Sequence, residues 1–281
     1  MKIFNKIKKS LYLINTFGLS WFVSTLIYTR LFKLFPIKIR HYVLFLGNLK
    51  GKSGIEIGGP SPLFEKKSFL PIYNIIGHLD ICNLKKISDS VKYVCDATDL
   101  HDIELQKYDF VLSSHTLEHI ANPLKALSEW LRIIKENGIV LIVLPHKNRS
   151  IDHKRPVTTL AHLIDDYKNG IKENDETHLR EVLELVDVKV ERGVSDNEDL
   201  KKMVQANYGG VHLHVFDPNL VIKIFDHFNL QIIALEETLP YNIVALGKKL
   251  PKGIKCNNSE FARKVNKGLF ASRDKKERMK G

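Results

Sequence analysis

Apolar and polar positions follow two different periods along this chain, and the change between them falls near residue 51. Before it the spacing is helical. Over residues 2–14, Ile3, Phe4, Ile7, Leu11 and Ile14 share one face, with Lys2, Lys6 and Lys9 opposite. Residues 10–29 carry no charge, a length that can cross a bilayer. Yet Asn15, Thr16, Gly18, Ser20, Ser24 and Thr25 interrupt the stretch, and Trp21 stands in its middle. An interfacial helix or helix pair fits this segment best. A helix packed on the body or on a partner, and a true span or signal peptide, are the other readings. No A-x-A-like cleavage site follows.

After residue 51 short apolar runs alternate with amphipathic ones. Residues 53–58, 71–79 (ending at Asp80), 91–95 (ending at Asp96), 108–112 and 139–144 read as strands. Residues 123–136 read as a helix with Leu124, Leu127, Leu131 and Ile134 on one face, ended by Gly138. Strands alternating with helices predict a parallel sheet with right-handed crossovers. Residues 146–210 are polar, with Asp/Glu and His clusters, and read as an insertion or lid. Residues 211–216 are short and apolar, and 218–228 read as a helix. Residues 231–237 and 242–247 are close enough to pair as an antiparallel hairpin. Three units result: an N-terminal basic amphipathic segment, 1–50; a domain, 51–249; and a basic tail, 250–281, read as a loose helix or disordered.

Charge sharpens this division. The net +11 is uneven: residues 1–55 carry ten Lys/Arg and no acid, residues 56–247 carry a net −8, and residues 248–281 a net +9. An acidic body between basic ends argues against a uniformly basic nucleic-acid binder. The three cysteines, Cys82, Cys95 and Cys256, form no CxxC pair, which fits a reducing compartment rather than a disulfide framework. Lys outnumbers Arg 33 to 10, the bias of an AT-rich bacterial genome.

The candidate chemistry sits at strand ends. In Ile55-Glu56-Ile57-Gly58-Gly59-Pro60-Ser61-Pro62 a strand meets glycines, which permit a tight turn and close ligand approach. Asp80 and Asp96 are placed to end the next two strands, where acids can accept from ribose hydroxyls and an adenine amine. A single such acid is more often a turn residue; three in succession are harder to dismiss.

Residues 54–147 resemble the core of a class I S-adenosylmethionine-dependent methyltransferase of the small-molecule branch. The stretches that carry this are IEIGG, YVCDATDL, YDFVLSSHTLEHIANPLKAL and ENGIVLIVLP. GGPSPLF with HKNRSIDHKRPVT resembles a bacterial subgroup associated with surface-glycan biosynthesis. The resemblance implies a Rossmann-like α/β fold with a seven-stranded sheet, mostly parallel, closed by an antiparallel hairpin. It implies S-adenosyl-L-methionine as cofactor, with Glu56, Gly58, Gly59 and Ser61 at the methionine moiety, Asp80 at the ribose, Asp96 and Ala97 at the adenine, and Ser113 near the methionine end. One departure stands out. Pro60 and Pro62 occupy glycine positions of the family pattern and offer no N–H, which leaves Gly58, Gly59 and Ser61 as backbone donors.

A hydroxyl acceptor needs a general base, and His115, His146 and His153 are the candidates. His115, Glu118 and His119 stand at i, i+3 and i+4, a spacing that also suits a divalent metal, although packing and capping explain it better and no metal is expected. Lys147, Arg149 and Arg155 are candidates to grip an acceptor phosphate or carboxylate, against the alternative of a solvated loop. His178 and the His212-x-His214 pair, on one face of a strand by alternation, are candidates for the same wall. The expectation is O-methylation of a sugar on a small or lipid-linked glycan, by an enzyme that is cytoplasmic and peripheral on an anionic inner-membrane face. An RNA methyltransferase and a membrane-bound scaffold with a degenerate pocket are the alternatives. The lack of G-x-G-x-x-G argues against a nicotinamide dehydrogenase.

Overall fold

A computed structural model of the chain describes residues 2–34, 38–172, 175–190 and 211–265. Its sheet has seven strands: β1 (Ser53–Ile57), β2 (His78–Asn83), β3 (Val91–Val94), β4 (Tyr108–Ser114), β5 (Ile134–Pro145), β6 (Leu230–Thr238) and β7 (Asn242–Lys249). Their order is β3-β2-β1-β4-β5-β7-β6. The first five run parallel, and β7 is antiparallel to both of its neighbours. The expected mostly parallel sheet with its antiparallel hairpin is therefore the observed one. Strand order reverses between β1 and β4, and a crevice at the carboxyl ends beside such a switch is where open sheets bind ligands.

Period-2 alternation sends successive residues to opposite cores. Ile55, Ile57 and Val111 face one core, with α4 (Pro123–Ile133) and α7 (Pro218–His227). Phe110, Leu112 and Leu141 face the other. Helix α4 starts where it does because the Asn122 side chain accepts from the Lys125 N–H at 3.1 Å and Pro123 fills the first turn. It buries Leu124, Leu127 and Trp130, each such side chain contributing roughly 1.5–3 kcal/mol. Asp217 caps α7 in the same way, through the Leu220 N–H at 2.7 Å.

Several local expectations are corrected. Strand β2 begins at His78, not near Pro71, and continues three residues past Asp80 to Asn83. No helix follows the glycine turn. Pro60, Pro62 and Pro71 withhold N–H groups, and only a single 3₁₀ turn forms, Pro62–Phe64. Phe64, Phe69, Leu70 and Ile72 instead pack irregularly into the second core. The helix on that face is α3 (Tyr42–Leu49), with Phe45 and Leu49 fully buried, so residues 39–50 belong to the packed body rather than to an appendage. Residues 250–265 also dock: Asn258 bonds Ile232, Leu230 and Asp226, and α8 (Ser259–Lys264) follows it. The rest of the expected tail, 266–281, and residues 191–210 of the expected lid lie outside the described residues. Cys82 and Cys95, distant in sequence, meet at 3.2 Å between β2 and the end of β3.

At the N-terminus, α1 (Lys2–Phe17) and α2 (Leu19–Leu34) meet at Gly18, whose φ of +91° permits the break. Among the described residues no single helix is long and apolar enough to cross a membrane; Lys6–Phe17 and Leu19–Tyr28 meet that criterion only as a pair bent by 119°. The pair is tied to the body. Tyr12 donates to Asp187, Trp21 Nε1 donates to the Pro240 carbonyl at 3.1 Å, and Phe17 packs edge-on against His153. The opposite side presents Ile7, Leu11, Leu19, Val23, Leu26 and Ile27 to the exterior.

Candidate active site

The crevice starts at the turn after β1. Gly58 has a φ of +82°, and a Cβ there would stand 2.0 Å from Thr116 Oγ1, so only glycine fits. Its N–H is held by the Cys82 carbonyl at 2.9 Å. A Cβ on Gly59 would collide with Glu56. Glu56 is fully buried beneath this loop. It accepts from the Ser61 N–H at 2.9 Å and from the Tyr73 hydroxyl at 2.6 Å. Burial pushes its carboxyl up to about 7 against the pull of those two bonds. Glu56 therefore fixes the loop's shape, and the Ser61 N–H points at Glu56 and Tyr73 rather than serving as an open donor.

Next to the turn lies a cleft of about 500 Å³, lined by Gly58, Ser61, Ser114, His115, Tyr241 and, from α2, Tyr28. His115 adopts a φ of +49°. Its Nδ1 lies 3.3 Å from Glu118 Oε1 and its Nε2 3.0 Å from Asn242 Oδ1. Glu118, in the 3₁₀ turn Leu117–His119, has no exposed surface and, among the described residues, no hydrogen-bond partner beyond its approach to His115. Burial opposes its ionisation, but His115, His119 and His212 hold it below the usual carboxylate range. Ser113 and Ser114 end β4 with buried hydroxyls that lack hydrogen-bond partners among the described residues.

The acid expected at the end of β2 is elsewhere. Asp80 pairs in register with Ile55, well below the sheet's carboxyl edge. It is bound by Lys92 at 2.8 Å, the Tyr108 hydroxyl at 2.7 Å and His78 at 2.9 Å. Burial is outweighed by these three partners, and the carboxyl stays below its ordinary range. The residue at the strand's end is Asn83, whose Nδ2 donates to the Gly59 carbonyl at 2.8 Å. No motif in the sequence marked Asn83. Asp96 and Ala97 do follow β3 at that edge; Asp96 accepts from the Thr98 N–H at 2.7 Å and the Ala97 carbonyl from Trp130 Nε1 at 3.1 Å.

Of the three candidate bases, only His115 lines the cleft. His146 has no exposed surface, and its Nδ1 accepts from the Asn148 N–H at 3.1 Å, which leaves the proton on Nε2. Burial, with Arg149 and Lys147 nearby, pushes it down to about 3. It is neutral and caps the 3₁₀ turn Lys147–Arg149. His153 is bound to Asp187 at 2.8 Å behind Phe17.

The expected substrate residues are also occupied away from the cleft. Arg155 is 1% exposed and bonds Asp152, Glu181 and the carbonyls of His212 and Leu213. Arg149 donates to the Phe17 carbonyl and lies over the Phe17 and Trp21 rings. Lys147 reaches the His153 carbonyl at 3.2 Å. Residues 211–216 form no strand, because the Leu213 and His214 N–H groups both turn to the Glu118 carbonyl. Their histidines diverge. His212 Nδ1 binds Asp152 at 2.6 Å, while His214 joins His162, Asp166 and His178. That group, and a smaller one of Glu118, His119 and His212, are the two among the described residues compact enough to hold a cation.

The glycine-only position at Gly58 and the Ser114 hydroxyl, without a hydrogen-bond partner among the described residues, border the same cleft.

Residues 78–142 match the family model described as a methyltransferase domain. No curated protein matches the chain. Solved structures with similar architecture include an S-adenosylmethionine dependent methyltransferase from Mesorhizobium loti, with 12% identity, coverage of 74% of this chain and 95% of that one, and a TM-score of 0.45. A SAM dependent methyltransferase from Aquifex aeolicus has 10% identity, coverage of 75% and 88%, and a TM-score of 0.40. The 1,6-didemethyltoxoflavin-N1-methyltransferase of Burkholderia thailandensis has 11% identity, coverage of 75% and 78%, and a TM-score of 0.40. Likeness at this level says nothing of acceptor or site. The residues that match the methyltransferase-domain model supply β2, β3, β4, α4 and most of β5 in a sheet ordered β3-β2-β1-β4-β5-β7-β6.

Proposed function

We propose that this enzyme methylates a hydroxyl of a lipid-linked glycan at a membrane surface, with His115 as general base. One observation carries the reading: α2 contributes Tyr28 to the cleft beside His115 while presenting Val23, Leu26 and Ile27 to the exterior. An apolar outer side on a basic N-terminal segment suits an anionic lipid surface, and its inner side forms a wall of the site.

The cofactor, when bound, supplies a methyl group already activated on a sulfonium. Gly58, Gly59, Ser113 and Ser114 are assigned to its methionine end, Asn83 to its ribose, and Asp96 with Ala97 to its adenine. Glu56 acts on it indirectly, by fixing the loop. The protein's remaining tasks are alignment and proton removal. Glu118 holds Nδ1 of His115, so Nε2 is the nitrogen that takes the hydroxyl proton. Once it does, both ring N–H groups face acceptors, Glu118 and Asn242 Oδ1. The acidic body suits a cationic cofactor, and the basic ends suit the membrane.

The test compares methyl transfer to a hydroxyl-bearing glycolipid in phosphatidylglycerol vesicles, to the matching water-soluble sugar, and to RNA. The expected result is fastest transfer to the glycolipid, with pelleting on vesicles that Leu11→Asp and Leu26→Asp weaken. Preference for RNA with steep salt dependence, or no cofactor binding by calorimetry, would each sink it.

A further inference from the structure

We propose that His162, Asp166, His178 and His214 form a structural divalent-cation site of the zinc type that clamps the insertion to the catalytic body. The sequence reading expected no metal and assigned His178 and His214 to a substrate wall; the geometry points elsewhere. His162 and Asp166 share one side of α5 (Leu160–Asn169), His178 lies on α6 (Glu176–Leu185), and His214 follows the stretch 191–210. Three separate segments thus send imidazole or carboxylate to one point.

The spacing is that of ligands around one small ion. Zinc bonds of about 2.0–2.2 Å at tetrahedral angles set ligand atoms roughly 3.3–3.5 Å apart. His162 Nε2 lies 3.0 Å from His178 Nε2 and 3.3 Å from Asp166 Oδ2. Asp166 Oδ2 lies 3.5 Å from His178 Nε2, and the His214 ring lies next to it. One ligand atom from each of the four falls within 4.8 Å of every other.

The surroundings favour a cation over plain hydrogen bonding. Asp166, His178 and His214 are 5%, 6% and 1% exposed. Asp166 Oδ2 is buried with no hydrogen-bond partner among the described residues, and so is Nδ1 of His214. An oxygen so placed, with three imidazoles around it, is expensive without a positive centre. The outer contacts are those of metal-bound histidines as well. His178 Nδ1 stands 3.5 Å from the Asp175 carboxylate, and the Ala121 carbonyl, 3.1 Å from His214 Nε2, leaves the buried Nδ1 as that ring's ligand atom. Three imidazoles and one carboxylate make a nitrogen-rich set for zinc rather than for calcium or magnesium.

There is a reason for a clamp here. Among the described residues, the insertion's buried apolar cluster is small: Leu179, Val182, Val188, Val211 and Leu213 against Ala121, edged by Ile171, Leu183 and Val186. Apolar groups of that size seldom hold a unit in place without a staple.

The experiment is metal analysis of the full chain after exhaustive dialysis, with zinc and then cobalt(II) as probes. The expected result is one zinc per chain and the visible absorption of tetrahedral cobalt. His162→Gln, on the most exposed ligand, and Asp166→Asn are expected to abolish both signals while far-ultraviolet circular dichroism is retained. Asp175→Asn, which touches no ligand atom directly, is expected to weaken cobalt binding about 10–100-fold. A dialysed wild-type chain that binds no more zinc than Asp166→Asn, or cobalt bound only in the octahedral hydrated form, overturns the site. None of these readouts depends on which acceptor the enzyme methylates.

Discussion

Two histidine groups lie on either side of the segment that follows β4, and they differ in what reaches them. Around Glu118, His115 keeps 27% of its side chain exposed and lines the cleft, while a fully buried carboxylate holds its far nitrogen. Around Asp166, two of the three rings are buried and the nitrogens face one another. The residue types are the same. In the first group one nitrogen lies against a buried carboxylate and the ring borders the cleft, which suits proton transfer on the proposed reading. In the second, little is accessible to a substrate, and the groups serve to hold the fold.

That contrast can be broken from its structural side first. Arg155 belongs to the closed region, so Arg155→Met should leave Asp152 with a lost buried partner and cost about 3–5 kcal/mol in urea unfolding. A variant of wild-type stability with a raised KM would return Arg155 to the substrate. On the open side, His115→Gln should lower kcat about 100-fold with cofactor affinity unchanged by calorimetry. Glu118→Gln should lower it by about tenfold and shift the pH profile of kcat, as a positioning residue does. If His146→Asn is the variant that abolishes turnover while still folded, the two groups have been assigned wrongly.

The next effect is smaller. Asn83→Ala should weaken cofactor binding by about tenfold, the loss of roughly one hydrogen bond, whereas Asp80→Asn should leave it unchanged and lower stability. The opposite outcome would restore the acid to the ribose. The last is a pH effect on stability. Because burial raises Glu56 from its usual 4.5 to about 7, its contribution to stability is full below 4.5 and lost as pH rises through about 7. Glu56→Gln should flatten that part of the melting-temperature profile.

The sheet was legible because parallel strands buried on both faces read as apolar runs, and β4, β5 and the hairpin all do. The glycine turn was legible for the same local reason. The register of β2 was not. Residues 71–79 are apolar enough for a strand, but their apolar side chains serve the core that a missing helix would have filled. Asp80 could be told from a ligand acid only by knowing that Tyr108 and Lys92 arrive beside it from other strands. Alternation misled over 211–216, where one carbonyl, Glu118, captures two successive N–H groups and ends any strand ladder. His115 and His146 stood about equal as candidates, with His153 beside them. They differ in solvent access and in second-nitrogen partners, and neither is written in spacing.

The bend at Gly18 has a geometric corollary. It lays α2 between the cleft and whatever the outer apolar side chains enter. A helix with its side chains is about 10–12 Å across. On the membrane reading that thickness is a ruler. A glycan hydroxyl a helix's width from its lipid anchor arrives at His115, while one held at the headgroup falls short and one far along a polymer overshoots. Selectivity by reach then needs no pocket shaped to the sugar.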